Sequence, residues 1–220
     1  MRIKKNMHPD GEDIIPRVDF FIHLHIDSFP SMGDPVSEDP IISCDITGDQ
    51  SPLSELRGNN QEEPVVKGLI WSHSPDRLAN VGFKARRSII WGGSLLRSRK
   101  GGFAGLKQIS LVRRKKDLSP EEFARHYRNH REIARYHHGM SQYAQSLSLE
   151  PIYGFENELS DIDGVSELWF ATEQDWTERF YVHPESQNIV REDTQKFIDF
   201  TRTQSFMVDE ILFTEEMERE

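Results

Sequence analysis

The sequence predicts an α+β protein whose C-terminal half is a β-α-β-β-α-β unit. Three observations carry that prediction. Ser119-Pro120-Glu121-Glu122 is a capping box that opens a helix. Short runs dense in β-branched and aromatic residues stand before and after it, as strands require. No apolar run approaches the roughly 20 residues of a membrane helix, so these elements must pack on one another.

Along the chain, residues 1–17 lack a hydrophobic period and contain Pro9, Gly11 and Pro16, so they read as disordered or draped. Residues 18–26, VDFFIHLHI, read as a strand. Residues 27–64 turn to Pro, Gly, Ser, Asn and acids, with a short strand only at 41–46. So long an irregular stretch is unusual in a compact domain and reads as a functional loop or a degenerate element. Strand signals return at 65–71 and 88–91, and a connector follows at 96–106. Residues 108–113 form the next strand.

In the capped helix, Pro120 takes the first position, where a missing amide costs nothing. Phe123, Tyr127, His130, Ala134 and His137 then share one helix face. After Gly139 come a strand at 151–155, a turn at Asp161-Ile162-Asp163-Gly164 and a strand at 165–170. Helical stretches cover 172–181 and 184–200, the first with Trp176 and Phe180 four apart. A last strand spans 206–213 and the acidic residues 215–220 read as a solvated tail.

This order is the ferredoxin-like split βαβ motif. Such a sheet carries its helices on one face and must bury the other on a second sheet. The domains are therefore 107–214 for this unit and 18–95 for an added β-rich region or a degenerate second copy. A weak repeat supports the copy. Residues 68–76 can be laid on 167–175, 88–91 on 210–213, and strand 18–26 on 109–113. If the repeat holds, the α+β barrel closes within one chain. Otherwise a homodimer closes it.

The chain has 220 residues, 29% of them charged, and a net charge of −10 that argues against general nucleic-acid binding. It reads as a cytoplasmic protein without membrane contact. Between Lys84 and Lys116 there are 11 Lys or Arg and no acids. That segment reads either as an anion patch or as a solvated connector with flanking strand charges. Cys44, the single cysteine, excludes an intrachain disulfide and multi-cysteine metal sites. His23 and His25 form an H-x-H pair on one strand face, but no third ligand follows at suitable spacing, so no metal is expected. No phosphate loop or nucleophile elbow is present, and no cofactor is expected.

His130 is the leading candidate for chemistry. It lies on the apolar helix face, where an imidazole serves as general acid or base, or else as a core histidine bonded to a backbone carbonyl. Tyr127 can donate its phenol hydrogen to a developing enolate, or simply pack. His126 lies about 100° around the helix and borders the same region. His137 and His138, in the last turn, suit a cationic cap on the helix dipole. Glu167 and Trp169 alternate onto one strand face with Val165, as cavity lining or as a rim carboxylate and a core tryptophan.

Four blocks, in order and at suitable spacing, resemble the EthD family: 106–115 (LKQISLVRRK), 118–130 (LSPEEFARHYRNH), 163–170 (DGVSELWF) and 192–199 (EDTQKFID). Arg131-Glu132-Ile133 departs from the small residue and proline that often follow the family's helix histidine. The resemblance implies a dimeric α+β barrel with a cavity between sheet and helices for a small aromatic or polyketide-like molecule. It places the family's helix histidine on His130. Glu167, Trp169, Asp193 and Trp176 fall in or beside its blocks as substrate-binding residues. The expected function is a lyase-like or cyclase-like enzyme, with His130 as acid or base and Tyr127 as its partner. The alternative is an accessory protein that binds the same kind of ligand without turnover.

Overall fold

The computed structural model describes residues 20–27, 41–47, 66–75, 79–92 and 105–212. The expected draped N-terminus, most of the stretch 27–64, most of the connector 96–106 and the acidic tail lie outside the described residues.

Eight strands are present among the described residues. They are β1 (Phe20–His25), β2 (Ile41–Ile46), β3 (Gly68–Ser72), β4 (Val81–Trp91), β5 (Leu106–Val112), β6 (Gln142–Tyr153), β7 (Gly164–Phe170) and β8 (Gln204–Leu212). Among the same residues three helices, α1 (Pro120–His137), α2 (Glu173–Arg179) and α3 (Ser186–Thr194), all follow β5. The strands close into one barrel in the order β1-β3-β2-β8-β5-β7-β6-β4, and all neighbours are antiparallel. The second sheet that the C-terminal strands require is thus supplied by the same chain. Among the described residues, no helix is long and apolar enough to cross a membrane.

The barrel reads as two runs, β4-β1-β3-β2 and β8-β5-β7-β6. Each places its fourth, first, third and second strand in the same order. The runs join at two seams, β2·β8 and β4·β6. The strands matched in the sequence repeat, β1 with β5, β3 with β7 and β4 with β8, occupy corresponding places. The residue-level match needs a correction. It set Trp71 against Phe170, yet Trp71 packs in the barrel interior and Phe170 packs with Ala134 and Trp176 on the helix side. A shift of one residue pairs Trp71 with Trp169 and restores like faces, because a one-residue slip in a strand exchanges its two faces. With that shift, Ile22 stands beside Trp71 where Lys107 stands beside Trp169.

Inside the barrel, Ile22, Leu24, Leu69, Trp71, Val81, Phe83, Ile109, Leu111, Val165 and Phe206 form a continuous apolar cluster. Outside, α1 lies against the C-terminal strands through Phe123 and Tyr127, which pack with Leu147 and Phe197. Strand β7 is buried at all seven positions, because one face meets the barrel core and the other the helices. The capping box forms as expected, with Ser119 Oγ accepting from the Glu122 amide at 3.2 Å and the Glu122 carboxylate accepting from the Ser119 amide at 2.9 Å.

Two element boundaries differ from expectation. Strand β6 runs over 12 residues, whereas the sequence marked only 151–155. Its outward positions Tyr143, Gln145 and Leu147 do alternate, but Gln145 masks the pattern. Its amide is buried and donates to the Tyr127 carbonyl and the Tyr143 hydroxyl. Helix α3 stops at Thr194 instead of reaching residue 200. Beyond it the chain pairs with the β5–α1 connection, where the Lys115 amide donates to the Phe197 carbonyl and the Asp199 amide to the Arg113 carbonyl.

Candidate functional site

The candidate residues divide between the two faces of the C-terminal strands. On the helix side, His130 of α1 and Asp193 of α3 meet, with His130 Nδ1 2.9 Å from an Asp193 oxygen. The pair is nearly closed to solvent, with side chains 8% and 15% exposed. A carboxylate only accepts, so Nδ1 carries the proton and Nε2 is left as the basic nitrogen. Among the described residues, Nε2 has no hydrogen-bond partner. The hydrogen bond from His130 holds the Asp193 carboxyl below its ordinary range. Phe197 packs against both His130 and His126, at 5.9 and 6.0 Å between ring centres. His126, half-buried, therefore borders the pair without joining it.

Tyr127 is not the partner of His130. It is 1% exposed, and its hydroxyl is hydrogen-bonded to Ser166 of β7. Burial pushes its phenol well above the usual range, so it neither ionises nor reaches outward. The helix face that carries Tyr127 points straight at the sheet, while His130, nearly one turn on, sits at the α1–α3 contact. Trp176 is also distant in role, buried with Met140, Phe170 and Phe180 and donating to Gln108 at 3.4 Å. His138 is not a cationic cap. Burial outweighs its hydrogen bond to the Phe180 carbonyl and pushes it down to about 4, so it is neutral at neutral pH. His137 Nδ1 lies 2.9 Å from Ser186 Oγ and ties α1 to α3.

Glu167 and Trp169 share a strand face, as expected, but that face is the barrel interior, away from His130. There they belong to a buried ionic cluster. Lys107 Nζ of β5 lies 2.8 Å from both Asp45 oxygens, 2.8 Å from Glu210 and 3.0 Å from Glu167. Arg87 of β4 grips Glu167 with two parallel bonds of 2.7 and 2.6 Å. The Trp71 indole donates to Asp45 at 2.6 Å and the Trp169 indole to Glu210 at 2.9 Å. The Lys107 ammonium also sits over the Trp169 ring at 4.6 Å, and Arg87 over Trp71 at 4.7 Å.

Burial opposes every charge in this cluster, and the neighbours decide the outcome. Burial alone would lower Lys107 and Arg87, but the surrounding carboxylates raise both above their usual values. Burial alone would raise Glu167, but Arg87 and Lys107 hold it down to about 2. The carboxylates of Asp45, Glu167 and Glu210 converge within 4.8 Å, in a geometry open to a metal. The Lys107 ammonium stands where such an ion would, so the lysine itself is the cation of this centre.

The sequence did not point to Asp45, Arg87, Lys107 or Glu210. Their signal was charge at inward positions of strands with apolar neighbours. It also bears on the basic segment 84–116, whose connector, residues 93–104, lies outside the described residues. Arg87 and Lys107 are sealed inside the barrel, and Arg113 is 5% exposed and bonded to Asp161 and to the Arg202 and Glu158 carbonyls. These three cations neither recruit anions nor face solvent. His23, proposed with His25 as a possible ligand pair, is instead hydrogen-bonded to the Tyr153 hydroxyl at 2.6 Å and to Ser72 Oγ at 2.9 Å.

The search of curated proteins returned no match. A family model, EthD domain, matches residues 115–201. That span contains α1, β6, β7, α2 and α3, and with them both His130 and Asp193. The N-terminal strands and the bracketing strands β5 and β8 lie outside it. The chain carries an EthD domain in its C-terminal half.

Proposed function

We propose that this chain is a cofactor-free acid–base enzyme acting on a small aromatic or polyketide-like molecule, by decarboxylation, dehydration or cyclisation. One observation carries the reading: an imidazole fixed by Asp193 through Nδ1, with Nε2 unspent. Such a pair takes a proton at Nε2 while the carboxylate stabilises the resulting imidazolium. The substrate class rests on the EthD resemblance alone. Each run of the barrel is read as a ferredoxin-like half, the N-terminal one a degenerate copy, so that one chain provides what two subunits provide in a dimeric barrel.

The test is incubation of the full chain with a panel of hydroxybenzoic acids and β-dicarbonyl compounds, followed by mass spectrometry. Conversion by the wild type that disappears in His130→Gln, with binding retained, supports the enzyme. Undiminished conversion by His130→Gln removes His130 from the chemistry. Binding without conversion by the wild type favours the second reading, an accessory ligand-binding protein. The burial of Tyr127 favours that reading, since it leaves His130 without its expected donor.

Light scattering is expected to give one chain mass, 25.6 kDa, independent of concentration. A stable mass of twice that value means that a homodimer forms through a surface other than the barrel seams.

A further inference from the structure

Five buried ionisable side chains meet inside the barrel. Asp45, Glu167 and Glu210 bring three negative charges, and Arg87 and Lys107 bring two positive ones. Among the described residues no further charge is bonded to them, so the fully ionised cluster carries −1. Glu167 has a cation of its own in Arg87, gripped through two bonds. Asp45 and Glu210 are left to share Lys107. They are also direct register partners across the β2·β8 seam. Like charges placed opposite each other in a ladder repel, and an unbalanced charge in a dry interior is removed by protonation.

We propose that the folded barrel takes up one proton on Asp45, which makes its interior neutral, and that loss of this proton to solvent weakens the seams between the two halves. Asp45 is the natural holder because it is 0% exposed, whereas Glu210 is 5% exposed. Every element around Asp45 is accounted for: Trp71 on β3, Arg87 on β4, Lys107 on β5, Glu167 on β7 and Glu210 on β8. Burial raises the Asp45 carboxyl most, the Lys107 charge opposes it, and Glu210 and Glu167 add to the rise, leaving it pushed up to about 6. Burial also acts upward on Glu210, but Lys107 and the Trp169 indole hold it below its ordinary value. Asp45 and Arg87 come from the N-terminal run, and their charged partners Lys107, Glu167 and Glu210 from the C-terminal run. The proton therefore sits on the contact that joins the two.

The sign follows from linkage. A carboxyl raised in the folded state contributes stability below its unfolded value of 3.8, and that contribution is lost as pH rises through about 6. His138, lowered to about 4, acts in the opposite sense over an overlapping range. The measurement must therefore be a comparison with a variant that keeps His138.

The experiment is urea unfolding of the full chain and of Asp45→Asn across that range, with infrared spectra of the same samples. From about pH 4 to about pH 7, the folding constant of the wild type is expected to fall roughly 50-fold relative to Asp45→Asn. The wild type should show a protonated-carboxyl band that fades near pH 6 and is missing from Asp45→Asn. If Asp45→Asn does not fold, the wild-type band and its midpoint decide. No band below that midpoint, or a constant ratio of folding constants, overturns the proposal. Loss of the band in Glu210→Gln with retention in Asp45→Asn overturns the assignment to Asp45.

Discussion

Lys107→Met is expected to lower the unfolding free energy by about 3–5 kcal/mol at neutral pH, the usual cost of stripping a buried charge of its partner. The methionine nearly matches the lysine in volume, so the loss is electrostatic and not a cavity effect. Lys107 touches three carboxylates, and Arg87 can serve only Glu167. Without the ammonium, Asp45 and Glu210 face each other across the β2·β8 pair with only the indole N–H groups of Trp71 and Trp169 as donors among the described residues. Both would bind protons more tightly, so the deficit should shrink as the pH is lowered. Urea unfolding of wild type and variant at two pH values measures this. A loss below about 1 kcal/mol would show that the carboxylates find other partners. The triple change Lys107→Met, Asp45→Asn, Glu210→Gln should recover much of the loss, since it removes the stranded charges with their partner.

Asp193→Asn is expected to cut turnover by about 10²–10³-fold while leaving the fold intact, within the range that positioned acid–base groups supply. Asparagine is nearly isosteric, and the Asp193 side chain, 15% exposed, lies outside the three buried apolar clusters. The variant can still hold His130, but it cannot stabilise the imidazolium. Its amide can also present N–H to Nδ1 and force the proton onto Nε2, which turns the base into a donor. The loss should fall on kcat more than on KM, because the proposed reaction uses Nε2 and leaves Asp193 behind the ring. Turnover kinetics on whichever panel compound the wild type converts give the answer. An unchanged kcat would make the His130–Asp193 contact a structural tie between α1 and α3.

The C-terminal elements were legible because each leaves a local mark. The capping box, the apolar face of α1 and the alternation in β7 can be read within a few residues. His130 was legible for the same reason. Its partner was not, because the pairing depends on where α3 crosses α1, 63 residues away in sequence. Asp193 entered through the family resemblance, with substrate binding as its expected role. The interior cluster was less legible still. Its bonds span 62, 80 and 103 residues and link strands of both runs. Alternation says which residues share a strand face, but it does not say that the face with Lys107 or Arg87 is the inside of a barrel. Charges there pass for a solvated edge. Tyr127 failed for a different reason. Helical spacing placed it beside His130 correctly, yet the sheet came so close that Ser166 took its hydroxyl.

The two seams have a consequence for synthesis. Strands β2 and β4 emerge with the first half of the chain, but their outer neighbours β8 and β6 belong to the second. Until those are translated, both edges of the nascent sheet stand open to any other strand. Asp45 lies on one open edge and Arg87 on the other, each without its counter-ion. A charge at each edge disfavours pairing with a stray apolar strand, so the residues that lock the barrel also stand where inward-pointing charges blunt an open sheet edge.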